Sequence, residues 1–139
     1  MHMRRVIGLT VAAGGLLPAF TTGSQATGSA LYRCAAETTV AAATVGVELC
    51  DAEPTPLLAE RAEPDNLQIR GGALVVEVED GGVAGVAGVQ PGDMIYRVAR
   101  ADVPGAGAAA AGLAGVGTDS DTQINFLRRG RPYRIKLRR

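Results

Sequence analysis

Cys34 and Cys50 have the widest chemical repertoire of any side chains in this sequence, and 16 positions separate them. That spacing is not the Cys-x-x-Cys of a redox pair, and two thiols are too few ligands for a structural zinc. The one histidine, His2, lies at the extreme N-terminus, so no imidazole is available further along as general base, proton shuttle or metal ligand. Ser-His-Asp and Cys-His catalysis are thereby excluded. The sequence also lacks a Gly-x-Ser-x-Gly turn, a phosphate-cradling glycine loop and an Asp-Thr/Ser-Gly triplet. Asp119-Ser120-Asp121 comes without the rest of a calcium-coordinating loop and reads as a polar turn. This inventory speaks against an enzyme, and it predicts no metal and no cofactor.

Arg4 and Arg5 precede an uncharged 15-residue stretch, Val6 to Phe20, and small-residue sites follow at Ser24-Gln25-Ala26 and Gly28-Ser29-Ala30. Residues 1–30 therefore read as a cleaved secretory signal. A membrane span needs about 20 apolar residues, and this stretch is shorter and broken by glycines and Pro18; a retained N-terminal anchor is the alternative. An exported chain, periplasmic or extracellular, favours a Cys34–Cys50 disulfide, which closes a ring worth about 3 kcal/mol on the chain-entropy estimate. Two free buried thiols are the other possibility. With the signal removed the chain is near neutrality, so no nucleic-acid partner is expected. Arg128 to Arg139 nevertheless holds seven basic residues and no acid. These read as solvated strand faces, or as a weak contact for an anionic membrane or an acidic partner.

The elements that must position any site follow from periodicity. Residues 31–42 read as an N-terminal arm and residues 43–139 as the folded domain. Within Val40 to Cys50, Val45, Val47 and Leu49 share one face at the two-residue period of a half-buried strand. Thr55 and Pro56 suit the cap and first position of a short helix ended by Pro64. Ala73 to Glu79 is a second strand with Leu74, Val76 and Val78 aligned, ended by Asp80-Gly81-Gly82. A small-residue helical turn over Val83 to Val89 and the Pro91-Gly92 reversal lead into a strand from about Met94. Ala106 to Val116 is nearly all Ala and Gly, with Ala109, Leu113 and Val116 on one helical face. Each interior glycine costs about 1 kcal/mol, so this helix depends on packing. Thr122 to Arg128 and Pro132 to Leu137 form a hairpin about Arg129-Gly130-Arg131. The sum is an α+β domain whose antiparallel sheet is partly closed and carries two helical caps.

That order resembles a bacterial PDZ domain of the circularly permuted kind that follows the protease in HtrA-type enzymes, over about Ala43 to Arg138. The most specific part is GALVVEVEDGGVAGVAGVQPGDMIYRV. Gly72, Val75 and Val78, then Ala87, Gly88 and Val89, then Gly92, Asp93, Ile95 and Val98 fall on the family's pattern. Upstream, Thr44-Val45-Gly46-Val47 is similar to its x-hydrophobic-Gly-hydrophobic loop. The fold implied is a PDZ-like, partly open antiparallel barrel or sandwich of five to six strands with two short helices. In this sequence Asp93 is expected to bond nearby backbone amides, as Asp does in turns. One departure stands out: Ala99-Arg100 replaces the usual Asn-Gly, and neither residue favours positive φ, so that turn is expected to be reshaped.

The resemblance implies β-augmentation, in which a peptide lies as an added strand between a sheet edge and a helix. The edge would be Val47 to Cys50 and the facing wall Ala108 to Val116. The amides of Val45, Gly46 and Val47 would cradle a terminal carboxylate. Thr44, Val45, Gly46, Val47, Glu48 and Leu49 would bind peptide on one side, with Ala109 and Leu113 opposite, and Val45, Val47 and Leu113 would line a pocket for a medium or large apolar residue. The partners would be protein C-termini or extended segments, and the role that of an adaptor or envelope-complex component. The alternatives are a detached PDZ portion of an HtrA-type serine protease and a structural module of a secretion or membrane complex. All of these expectations require the Val47 to Cys50 rim to be unpaired in the free chain.

Overall fold

Strict alternation of buried and exposed residues fails at Ala73, Leu74 and Val75, which are consecutive and all buried. The reason is visible in the computed structural model, which describes residues 30–117 and 121–139; residues 1–29, where the expected signal falls, and the Asp119-Ser120 pair lie outside the described residues. The described elements are β1 (Tyr32–Cys34), β2 (Val40–Ala42), β3 (Val47–Pro54), α1 (Pro56–Arg61), β4 (Ala73–Val78), α2 (Val83–Ala87), β5 (Met94–Val98), β6 (Ala101–Asp102), α3 (Ala106–Leu113), β7 (Thr122–Arg128) and β8 (Arg131–Leu137). They form an antiparallel, unclosed sheet in the order β1-β3-β4-β5-β7-β8, with β2 added to β3 and β6 to β5.

Both faces of the central strands are covered. Leu49, Val75, Ile95 and Phe126 pack with Ala109 and Leu113 of α3 and Ala84 of α2. Their chain neighbours Cys50, Leu74, Met94 and Leu127 point the other way, onto Leu58 of α1 and Tyr32 of β1. This two-sided burial corrects the expected alignment of Leu74, Val76 and Val78, because Val76 is 38% exposed while Val75 is buried. Gly72 immediately precedes β4 where an added Cβ would collide with the Ile95 carbonyl oxygen, so only glycine lets β4 and β5 approach there. Three strands absent from the sequence reading, β1, β2 and β6, are two or three residues long, and none of the three is long enough to display a period.

The short helices are held by their neighbours. Thr55 precedes α1 in extended conformation, but its hydroxyl makes no cap bond to the helix. It donates instead to the Leu31 carbonyl of the arm at 3.2 Å, alongside the Thr55 amide at 2.9 Å, and to the carbonyl of Ala30, the last residue of the expected signal, at 2.7 Å. At α3 the first amide, Ala106 N–H, donates to the Asp51 carboxylate on β3 at 2.7 Å. A side chain of β3 thus caps the Ala/Gly helix that faces it.

The Ala99-Arg100 turn is not reshaped. Both residues adopt positive φ, 50° and 74°, and join β5 to β6 as a two-residue hairpin with Val98 opposite Ala101. The chain accepts left-handed strain of about 1–2 kcal/mol per residue there because β5 is already locked between β4 and β7. Replacing Ala99-Arg100 by Asn-Gly is expected to raise unfolding free energy by about 1–2 kcal/mol, read as a higher urea midpoint at unchanged m-value.

Asp93 is the one buried charged residue among those described, at 1% exposure. Its carboxylate accepts from the Gln90 amide at 2.8 Å, as expected. It also accepts a two-pronged bond from Arg128, Nε to Oδ1 at 2.8 Å and Nη2 to Oδ2 at 2.7 Å. Arg128 Nη2 donates further to the Gly88 carbonyl at 2.8 Å, and its guanidinium lies over Phe126 and Tyr133. The hydrogen bond to Asp93 raises the Arg128 pKa above its already high ordinary value. One ion pair therefore fastens the Pro91-Gly92 turn to β7. Asp93→Ala would strand Arg128 and the Gln90 amide and should cost about 3 kcal/mol in a denaturant melt; a loss under about 1 kcal/mol would show that the pair is not structural.

Candidate functional site

Strand β3 has two edges, and neither is free over its full length. One pairs with β4, with a register shift between Glu48 and Leu49. On the other edge β1 covers Ala52 to Pro54, and β2 covers Val47 to Leu49 in the register Val40↔Leu49, Ala41↔Glu48, Ala42↔Val47. The expectation of a bare rim at Val47 to Cys50 is therefore corrected: three residues of the chain's own arm lie antiparallel along it. Helix α3 packs against β2 as well as β3, so β2 lies beside the helix along the edge where an added strand was expected.

Of the three amides expected to cradle a carboxylate, those of Val45 and Gly46 donate to an acceptor in the same chain. A four-residue turn, Ala43 to Gly46, joins β2 to β3, and within it the Val45 and Gly46 amides both donate to the Ala42 carbonyl, at 3.1 and 3.0 Å. Gly46 closes the turn at φ 76°, where a Cβ would also meet Glu79 Oε2 at 2.9 Å. The turn is held from behind, since the Glu79 amide donates to the Gly46 carbonyl at 2.8 Å and the Ala84 amide to the Val45 carbonyl at 3.0 Å. Two N–H groups thus converge on one oxygen in a loop that the end of β4 and the start of α2 hold in shape.

The side chains sort accordingly. Val45, Val47, Leu49, Ala109 and Leu113 are all buried and share one core cluster with Ala42. The small Ala42 side chain lies where the medium or large apolar residue of a ligand was expected. Thr44 and Glu48 are half-buried. Glu48 lies opposite Glu77 across the β3–β4 pair, and these two acids with Glu79 border a shallow depression beside Ala41 and Ala43. Directly opposed carboxylates repel, so this rim favours a basic neighbour.

Cys34 and Cys50 are joined by a disulfide, with Cα atoms 5.5 Å apart and a sequence separation of 16. Cys50 is fully buried, and Cys34 lies at the end of β1, half-buried. Beyond the bridge, the arm is anchored by Tyr32, whose hydroxyl accepts from the Arg70 amide at 3.0 Å and donates to the Gln68 carbonyl at 3.2 Å. Burial raises the Tyr32 pKa and keeps the phenol neutral. The basic C-terminal run is less uniform than its composition suggests: Arg128 is bound to Asp93 and Arg138 to Asp121. Arg134 and Lys136 line a polar surface depression with Arg97, Arg100 and Gln123. No helix among the described residues is long and apolar enough to cross a membrane, and no cluster of three metal-ligating side chains occurs among them.

No family model matches the chain, and no curated protein does. Among solved structures it is similar to the HtrA-type protease AlgW with decapeptide, at 24% identity and a TM-score of 0.48. A substituted form of AlgW with decapeptide is 25% identical at a TM-score of 0.52, over 68% of this chain and 27% of that one. The chain thus spans about a quarter of the length of the protease chain it resembles. With the unclosed antiparallel sheet and its short helices, this likeness makes the fold PDZ-like α+β.

Proposed function

We propose that this chain is an exported PDZ-type module that captures protein C-termini or extended segments by strand addition, and that it rests with β2 in its own groove. The observation that carries this reading is the Ala42 carbonyl on the Val45 and Gly46 amides, with β2 antiparallel to β3. A free chain end would present its carboxylate to the same pair of donors. The likeness to a protease structure that holds a decapeptide supports peptide capture, and the Cys34–Cys50 bridge supports an oxidising compartment.

A resident strand changes the energetics. Each backbone hydrogen bond is worth about 0.5–1.5 kcal/mol net, so three residue pairs and the burial of Ala42 make β2 a plug of a few kcal/mol. Every 1.4 kcal/mol of plug stability weakens an incoming peptide about tenfold. A client of intrinsically micromolar affinity is then bound only where the arm is dislodged, which suits an adaptor that acts on demand. The seat filled by Ala42 selects a small last residue, and Glu48, Glu77 and Glu79 favour basic residues nearby. A second reading has one observation behind it: the match to 27% of an HtrA-type protease chain fits a substrate-recognition portion whose catalytic part lies in other sequence.

The test uses a fluorescent Glu-Thr-Thr-Val-Ala-Ala peptide with a free C-terminal carboxylate, the sequence of residues 37–42. With reductant present, Ala42→Asp expels β2 by burying a charge in its seat, and should bind this peptide at least about tenfold more tightly than the wild type. A folded Ala42→Asp protein that binds no peptide would remove strand capture from consideration.

A further inference from the structure

The bridge and the plug form one device. The Cys34–Cys50 ring contains the whole of β2, the Ala43 to Gly46 turn and Val47 to Leu49. Residues 35–46 are thereby a loop fixed at both ends to β3, by the chain itself at Val47 and by a covalent sulfur link at Cys50. Those two attachment points lie three residues apart on an extended strand, about 10 Å. If β2 lifts away, the ring keeps it tethered beside the rim it has vacated, so an incoming strand competes with a resident segment held at high local concentration.

We propose that the Cys34–Cys50 disulfide locks the groove, and that its reduction by a dithiol opens it to an incoming peptide. This inference rests on the strand-capture reading above. Cys50 is fully buried and Cys34 half-buried, so the reductant's thiolate attacks the Cys34 sulfur. That forms a mixed disulfide and expels the Cys50 thiolate. The reductant's second thiolate then displaces Cys34 and leaves the reductant as a disulfide. Two electrons and two protons pass to the protein, one S–S bond is broken and one is made.

After reduction the arm is held by two short ladders instead of a covalent ring. One is the three-residue pairing of β1 with β3, pinned by Tyr32; the other is β2 itself. Either ladder can open and reclose by local fraying, which a covalent closure forbids. Ala42 is the one arm residue in the core formed by Leu49, Val75, Ile95, Phe126 and α3, and Tyr32 keeps the start of the arm in the second core on the other face. The groove can therefore open without the domain unfolding.

The experiment titrates the same fluorescent peptide against the full chain oxidised, reduced with dithiothreitol, and reduced as Ala42→Asp, with thermal melts confirming that each form is folded. Binding by the reduced wild type at least about tenfold tighter than by the oxidised form is the expected result. Equal binding by oxidised and reduced wild type overturns the lock and leaves strand capture intact. So does binding by reduced Ala42→Asp alone, which would mean that β1 and β2 hold the arm without the bridge. Absence of binding in all three folded forms overturns strand capture and the lock together. A Cys34→Ser/Cys50→Ser protein that is folded and still silent, beside a binding reduced Ala42→Asp, likewise overturns the lock.

Discussion

Two buried N–H groups that point at the same spot must find an acceptor, and this requirement organises the molecule around residues 42–46. Val45 and Gly46 are both buried, and a buried amide without a partner costs free energy comparable to a lost hydrogen bond. A loop shaped to receive an outside carboxylate would carry that cost twice whenever it is empty. Here the chain supplies its own oxygen, from Ala42. Once that carbonyl is in place, residues 40–42 run back along β3, and the edge that an added strand would use is taken.

The composition of α3 follows from the same arrangement. A helix of Ala and Gly has little propensity advantage from its glycines and few side chains to bury. Its slender profile is what lets β2 lie between β3 and the helix with Ala109 fully buried. Asp51 at the first amide of α3 ties the helix to β3 itself, so helix and strand are fixed to each other. On the opposite face Tyr32, Leu58 and Cys50 close a second core, which is why the arm is part of the fold and not an appendage to it.

Much of this was legible in the sequence where a period or a special residue was available. The strands at Ala73, Met94, Thr122 and Arg131 announce themselves by β-branched and apolar runs, and the positions of Gly46, Gly72 and Asp93 by what only those residues do in turns and close approaches. The pairing of β2 with β3 was not legible: Val40-Ala41-Ala42 is three residues long and its alanines carry no preference for strand. The segment was therefore merged with the strand that follows. A signal did exist. A bridge between Cys34 and Cys50 returns the chain to β3 within a short ring, which leaves room for Val40 to Ala42 to pair with Val47 to Leu49. Arg128 escaped for a different reason, since a run of cations does not reveal which member turns inward to meet Asp93. The turn at Ala99-Arg100 kept its shape against its own residues because the flanking strands, not the turn, set the register.

The central claim is that residues 40–42 occupy the β3 edge in solution. Cross-strand nuclear Overhauser contacts in the oxidised protein test it most directly. Backbone contacts between Val40 and Leu49, Ala41 and Glu48, and Ala42 and Val47, with slowly exchanging Val45 and Gly46 amides, are the predicted result. Absence of those contacts in a folded protein, with both amides exchanging as freely as exposed ones, would contradict it.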